Sequence, residues 1–513
     1  MKRRDFLQLC ALNVVGLSAV GLRKSNAIES AKQPSYPNVI VIMADDLGYR
    51  DFGCYGADKI PTPNCDQLAE GGMSFTDAHS PSAVCTPTRY GLLTGRYCWR
   101  SWMKNWVLME HMPLLINPQR MTLPSMLKEK GYTTGAFGKW HLGWGSKIRD
   151  YAKGILKPGP LEVGFDTFFG VPYSHNSTPH MQVFVKDRQI VGLKPGEKIT
   201  SPAVQKRVKR NLKNTAIDLT SEAVKFIKTN KDRPFLLYFP TTNVHVPLTP
   251  NSRFKGKSRL GAYGDFVVEF DWTVGEVMKT LKQFNLTENT IVIVTSDNGS
   301  QQPINKGSNL PYRGAKGQIY EGGHRVPFIA HWPGKIKAGA KTHSPICLTD
   351  IMPTLADLLD IPIPQGACED GESFLPQLAS KPVITPRKPI IHHSVNGMFA
   401  IREGKWKLID GLGNGFTVNW SETERSGKGK PTSSKPGTFD DLYYSFPKDP
   451  EAKPGEPKGQ LYDMEKDPVE QNNLWNEHPE VVAKLLQLLN EPIFGFAINN
   501  NLIDFLSQNQ EKM

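Results

Sequence analysis

Short continuous apolar runs alternate with amphipathic stretches from about residue 38 to residue 360. "NVIVIMADD" (38–46) predicts a buried strand. "TLPSMLKEKGY" (122–132) predicts a helix, followed by the short strand "TTGAFGKWH". "DLTSEAVKFIKTN" predicts a helix that leads into the strand "PFLLYFPTT" (234–242). Val267, Phe270, Val274, Val277, Leu281 and Phe284 recur at three- and four-residue steps, one face of a long helix. "TIVIVTSDNG" (290–299) predicts a further buried strand. Helices alternating with apolar runs call for a large, mainly parallel α/β sheet covered on both faces.

The last quarter has a different pattern. "MFAIREGKWKLID" (398–410) and "GQLYDMEKDP" (459–468) predict strands of a small antiparallel sheet, with a helix near 479–490. Residues 411–458 between them are rich in Gly, Pro, Ser and Lys and read as a long loop, a length that is functional or disordered. The expected organisation is therefore an α/β unit over 28–390 and a C-terminal α+β unit over 391–513. There is no internal repeat.

Composition adds little to this picture except at the N-terminus. Hydrophobic residues make up 39% and charged residues 22% of the 513-residue chain, ordinary for a soluble globular protein. Residues 1–27 combine a basic start, an apolar stretch from Phe6 to Leu22 and small residues at Ser25 and Ala27, the pattern of a signal peptide. Arg3-Arg4 before Asp5-Phe6-Leu7 resembles a twin-arginine export signal. The expected location is periplasmic or secreted, with no stable membrane insertion after signal removal. An uncleaved anchor is the plainer alternative, but Asn13 interrupts an already short run.

Removing the leader lowers the net charge from +12 to +8, which suits nucleic acid, an anionic membrane or acidic polymers, and charge alone does not choose among them. No arginine-aromatic motif supports nucleic acid as a partner. Six cysteines then remain: Cys54, Cys65, Cys85, Cys98, Cys347 and Cys368. They are too sparse for a disulfide scaffold and include no CxxC pair. Pairing of Cys54 with Cys65, or of Cys347 with Cys368, stays open.

Chemistry concentrates where the strands end. Asp45-Asp46 close the first apolar run, Lys139 and His141 the second, His245 the third, and Asp297-Asn298 the fourth. Ligands bind at the carboxyl ends of strands in such sheets. Taken alone, each acidic pair is as well explained by a helix cap or a turn. Facing one another, Asp45, Asp46, Asp297 and Asn298 form an all-oxygen set suited to Ca²⁺, or to Mg²⁺ with more retained water. Cys85 lies two residues before Pro87, a residue suited to the first helical position, and four before Arg89. A helix N-terminus and an arginine favour an anion there, which makes the thiol's setting reactive. A small buried core cysteine is the bland reading.

"AVCTPTRYGLLTG" resembles the signature of the formylglycine-dependent sulfatases of the alkaline phosphatase superfamily. The resemblance continues through "MADDLGYRDFGCYG", "GYTTGAFGKWHLG", "GFDTFFGVPYSHN", "HVP", "VTSDNGS", "RGAKGQIYEGGHRVP" and "LYDMEKDPVEQNNL". Phe137, where a smaller residue is common, departs from it in packing rather than chemistry. The resemblance implies an alkaline phosphatase-like fold and one Ca²⁺ held by Asp45, Asp46, Asp297, Asn298 and modified Cys85. It implies that a maturation enzyme oxidises Cys85 to formylglycine (3-oxoalanine), whose hydrate is the nucleophile. Arg89, Lys139 and His141 would hold and deprotonate that hydrate. His245 and Lys316 would grip the sulfate and serve the leaving oxygen, with Ser174 hydrogen-bonding in the same pocket. His175 is left without a role.

The chemistry is self-consistent. Cleaving a sulfate monoester loads charge onto the departing alkoxide, and a divalent ion with Arg89, Lys139 and Lys316 supplies a positive field. A plain serine or cysteine would stall as its ester, whereas a hydrate has a second hydroxyl from which His141 can take a proton. The expected activity is hydrolysis of a sulfated saccharide or aryl sulfate to alcohol and inorganic sulfate. Two rivals remain: a formylglycine-dependent phosphonate or phosphodiester hydrolase, disfavoured because Asn298 stands where those enzymes resemble one another in a histidine, and an inactive binder of sulfated glycans.

Overall fold

The computed structural model describes residues 36–147, 150–304, 307–381, 387–416 and 452–491. The expected signal peptide and most of the 411–458 loop lie outside the described residues.

Ten strands form the main sheet. They are β1 (Asn38–Ala44), β2 (Met73–Phe75), β4 (Thr133–Lys139), β5 (Thr167–Val171), β6 (Val185–Lys186), β7 (Gln189–Ile190), β8 (Phe235–Pro240), β9 (Thr290–Ser296), β10 (Phe328–His331) and β11 (Ala340–Thr342). Their order is β11-β2-β10-β9-β1-β8-β4-β5-β6-β7. The central run β9-β1-β8-β4-β5 is parallel throughout. Antiparallel strands are added on either side, β10 against β9 and β6 against β5. The short strands β3 (Ala78–His79) and β12 (Ile346–Cys347) pair separately.

The continuous apolar run of β1 has a simple cause, since successive side chains point to opposite faces and both faces are covered. Val39, Val41 and Met43 enter one core, with Leu92, Leu93, Leu123 and Met126. Ile40, Ile42 and Ala44 enter the other, with Leu219, Phe226, Val267, Phe270 and Val274. Each such side chain contributes about 1.5–3 kcal/mol on full burial. The helices that deliver these residues are α1 (Cys85–Thr94) and α2 (Leu123–Lys128) on one face, and α4 (Thr215–Thr229) and α5 (Ala262–Gln283) on the other; a shorter helix, α3 (Pro202–Val208), precedes α4. The expected helix over 122–132 is shorter because Thr122 and Ser125 cap its start and Gly131, at φ +79°, belongs to the turn beyond it.

A second, four-stranded antiparallel sheet comprises β13 (Ile390–His393), β14 (Phe399–Glu403), β15 (Trp406–Ile409) and β16 (Gln460–Asp463). The sequence pattern did not separate β13, whose "IIHH" does not alternate. One face packs Phe399, Ile401 and Leu408 under Val482, Leu485 and Leu489 of α6 (Pro479–Asn490). The other packs Ala400 and Ile409 on Ile319 and Tyr320 of the main body. Among the described residues, no helix is long and apolar enough to cross a membrane.

Candidate active site

Three neighbouring parallel strands end level. Ala44 of β1 pairs with Ser296 of β9, and Met43 with Pro240 of β8. The chain then knits these ends together: Asp45 N–H donates to Asn243 O (2.6 Å), Val244 N–H to Asp45 O (2.6 Å) and Asp297 N–H to Ala44 O (3.1 Å). Asp46 takes φ +65°, a conformation Asp tolerates, and its N–H reaches Asp297 Oδ1 at 3.1 Å. Residues 250 positions apart thus share one edge because the sheet puts them there.

The expected residues converge on this edge. Lys139 Nζ donates to both oxygens of Asp45 at 2.9 Å. Arg89 donates to Asp297 Oδ2 at 2.6 Å and lies 3.4 Å from Asp45. Lys316 Nζ donates to Asp46 Oδ2 at 2.7 Å, and Asn298 Nδ2 donates to Asp46 Oδ1 at 2.8 Å. His245 Nε2 stands 3.7 Å from Asp46 and 3.5 Å from Ser174 Oγ. All of these side chains are buried.

Burial and neighbouring charge decide protonation. Burial would raise Asp46, but neighbouring cations, Lys316 first and then Lys139, outweigh it and keep the carboxylate ionised. Burial and the adjacent Asp45 raise Asp297 despite Arg89. Asp46 holds Lys316 firmly protonated against the pull of burial. His141 and His245 are pushed well below the usual histidine range, by burial first and then by Lys139 and Lys316 respectively, so both rings are neutral. His141 Nε2–H donates to Leu108 O (3.1 Å), which leaves Nδ1 as a buried lone pair without a hydrogen bond. His245 Nδ1–H donates to Val246 O (2.7 Å), which turns Nε2 toward Ser174 and Asp46 as an acceptor.

Donor atoms of Asp45, Asp46, Cys85 and His245 all lie within 4.8 Å of one another. Asp297 joins them through the Asp46 amide and Arg89. Asn298 Oδ1 is buried and accepts no hydrogen bond, an orphan that ordinarily costs about 1–3 kcal/mol. Three carboxylates and an unused amide oxygen fit a hard divalent cation.

The setting of Cys85 differs from expectation. Cys85 itself begins α1 after Val84, and Pro87 is the third residue of the helix, not the first. Arg89 spends its hydrogen bonds on Asp297 Oδ2 and Lys139 O. Burial pushes the thiol up to about 12, helped by Asp297 and Asp45 and only partly opposed by Lys139 and Lys316. The unmodified side chain is a neutral thiol and not the stabilised anion that its sequence context suggested. The six cysteines among the described residues are all free, so neither open pairing forms.

His175 stands beside the site in another role. Its Nε2 meets Thr249 Oγ1 at 2.8 Å and its Nδ1 meets Arg210 at 3.3 Å. Arg210 also donates to the carbonyls of Ser174 (3.4 Å) and His175 (3.0 Å) and to Thr215 Oγ1 (2.7 Å). It has no carboxylate partner among the described residues, and burial pulls its pKa down to about 10. The sequence signal for Arg210 was present, a basic run from 206 to 213, but nothing in it marks one arginine as buried.

The model of the Sulfatase family matches residues 37–361. An N-acetylgalactosamine-6-O-sulfatase of Bacteroides thetaiotaomicron is 36% identical, over 91% of this chain and 94% of its own. Human arylsulfatase A is 34% identical, over 88% and 87%. A structure from work on glycosaminoglycan metabolism in Bacteroides thetaiotaomicron superposes with a TM-score of 0.75 at 35% identity, over 88% of this chain and 98% of that one. Ps i-CgsB, solved with bound k-i-k-neocarrahexaose, gives 0.67 at 25% identity, over 88% and 92%.

Proposed function

The chain belongs to the sulfatase family and is a sulfuric ester hydrolase, and from that premise we propose that it is exported and removes sulfate from a sulfated carbohydrate by way of a formylglycine made from Cys85. The observation that carries this reading is the convergence of Cys85, three carboxylates, an orphaned amide oxygen and three cations at one strand edge. The relatives named for N-acetylgalactosamine 6-sulfate and solved with a carrageenan fragment support a carbohydrate.

Asp45, Asp46, Asp297, Asn298 and the modified Cys85 would hold one Ca²⁺, which supplies Lewis-acid polarisation of a sulfate oxygen. The hydrated aldehyde supplies an oxygen nucleophile with a second hydroxyl, so that sulfate can later be released without water attacking sulfur. The chain's own residues do the remainder. Without the ion, three acids and three cations balance, and a divalent ion makes the pocket net positive, as a monoanionic ester requires. Lys316, kept protonated by Asp46, gives a proton to the leaving oxygen. Neutral His245, oriented by Val246 O, accepts from the Ser174 hydroxyl through Nε2, which holds both side chains at the substrate side of the pocket. His141 Nδ1, a lone pair fixed by the bond from Nε2–H to Leu108 O, takes a proton from the nucleophile. Arg89 acts mainly by holding Asp297 and Asp45 in place.

The test is turnover of a sulfate monoester against a phosphodiester by protein made with a formylglycine-generating enzyme, alongside mass analysis of the Cys85 peptide. Conversion of the cysteine together with faster sulfate release is the expected result. Faster phosphodiester turnover, or an unmodified and inactive protein from that host, would overturn it. The substrate screen should begin with 6-O-sulfated N-acetylgalactosamine.

A further inference from the structure

Between Lys186 and Lys213 the chain carries nine basic residues and two acidic ones, a net charge of +7. Without residues 1–27 the whole protein carries only +8. Twenty-eight residues therefore hold nearly all of its excess charge. Some of it is locally answered: Arg188 pairs with Glu162 at 2.6 Å, Arg207 pairs with Glu197, and Lys186 lies 3.8 Å from Glu222. Lys194, Lys198, Lys206, Lys209 and Lys213 are exposed and make no ion pair among the described residues. Soluble surfaces ordinarily intersperse both signs, since grouped like charges repel within a screening length of about 8 Å.

This strip is fastened to the catalytic pocket. Arg210, next to Lys209, donates to the carbonyls of Ser174 and His175, and Ser174 Oγ is 3.5 Å from His245 Nε2. On the other side, Leu212 O accepts from Thr249 (3.5 Å) and Lys213 O from Asn251 Nδ2 (3.1 Å), both on the segment that follows His245. The 210–213 end of the segment therefore lies against residues that flank the pocket on two sides. The segment from 186 to 213 contains no Phe, Tyr or Trp, so it offers no stacking platform for nucleic-acid bases. Repeated charges on the partner, met by separate ammonium groups, are what it can recognise.

We propose that the lysine strip spanning Lys194 to Lys213 is a secondary binding track for a polysulfated glycan, which engages sulfates beyond the one being cleaved. The inference rests on the sulfate-ester reading of the pocket and adds that the substrate is a polymer segment carrying several sulfates. Such a track raises the local concentration of long substrates and leaves small ones unaffected.

The experiment uses the full mature enzyme and the variant Lys206→Gln/Lys209→Gln/Lys213→Gln. Fluorescence anisotropy measures binding of a labelled chondroitin 6-sulfate decasaccharide and of the corresponding disaccharide, while p-nitrophenyl sulfate turnover reports the pocket. The expected result is a loss of about tenfold or more in decasaccharide affinity, a shallower salt dependence, and disaccharide binding and aryl sulfate kcat/KM within about twofold. A lysine-to-arginine version should keep the long-chain affinity. Unchanged decasaccharide binding in the glutamine variant overturns the proposal, as does equal or tighter wild-type binding of double-stranded DNA or phosphatidylglycerol vesicles. Absence of any sulfate release would instead strike the reading of the pocket, because anisotropy reports the strip without turnover.

Discussion

Two buried clusters, each of three acids and three cations, do different things in this molecule. The strand-edge cluster holds Asp45, Asp46 and Asp297 against Arg89, Lys139 and Lys316. The second lies between the main body and the small sheet and holds Asp77, Glu321 and Glu470 against Arg325, Arg402 and Lys407. Three histidines thread it. His79 Nδ1 meets His324 Nδ1 at 3.1 Å, His324 Nε2 meets Lys407 Nζ at 3.0 Å, and His392 stacks on His324 with ring centroids 3.9 Å apart.

The difference is in what the groups leave unanswered. At the strand edge Asn298 Oδ1 and His141 Nδ1 accept no hydrogen bond, and Asp45 crowds Asp297. In the second cluster Lys407 reaches Ile319 O (3.2 Å), Glu321 (3.0 Å) and Glu470 (2.6 Å), and Arg325 bridges Glu321 and Asp77. His392 Nε2 and Arg402 Nη1 also make no hydrogen bond, and ligand atoms of His79, His324 and His392 lie within 4.8 Å of one another. His324, however, spends Nδ1 on His79 and Nε2 on Lys407 and Ile319 O, while its ring stacks on His392 at 14°. Buried charge alone does not mark a ligand site. Unused donors and acceptors aimed at a common point do.

Substitutions and metal removal should affect the two clusters differently. Cys85→Ala should cut sulfate-ester turnover by at least about a thousandfold and leave Tm within a few degrees, because the cavity is small and polar. Chelation of the enzyme should lower activity and Tm together, with Ca²⁺ restoring both, since a ligand bound only by the folded state stabilises it. A chelated enzyme of unchanged Tm would count against a metal at the strand edge.

Lys407→Met should do the reverse of Cys85→Ala. It strands Glu321 and Glu470 in the interior, a loss on the order of 3–5 kcal/mol, while folded enzyme keeps its KM for an aryl sulfate. Calorimetry and kinetics on the same preparation check this. Unchanged Tm with lost activity would place the second cluster in catalysis.

The smallest effect concerns a buried acid outside both clusters. Glu269, on α5, accepts from Asn251 N–H at 3.2 Å, and burial pushes its carboxyl up to about 8 with only Arg253 and that bond opposing. An acid raised in the folded state stabilises fully below its unfolded pKa of about 4.5, and that contribution disappears as pH rises through 8. Glu269→Gln should therefore raise Tm at about pH 9 and change it little at about pH 5. A Tm gain equal at both pH values would rule out this titration.

Much of the strand edge was legible because chemistry there sits at a fixed offset from a pattern. Asp45-Asp46 and Asp297-Asn298 follow unbroken buried runs, and Lys139 closes a third strand. Ser174 and Lys316 were legible only through the resemblance of their motifs, since neither terminates a strand. The state of Cys85 was misjudged from local sequence, because a nearby Arg89 says nothing of which acid that guanidinium will choose. β13 and the clamp of Arg210 on Ser174 and His175 were not visible at all.

Continuous apolar runs set between amphipathic stretches, with chain order, thus determined the parallel sheet, the two covered faces and the list of groups at the strand ends, since side-chain period and apolar content are local properties of a run. Which cation pairs with which acid, which histidine nitrogen keeps its lone pair, and which of two neutral charged clusters is left hungry for a ligand were decided only in three dimensions. These depend on contacts between residues tens to hundreds of positions apart, and on a dielectric that exists only after the core has closed.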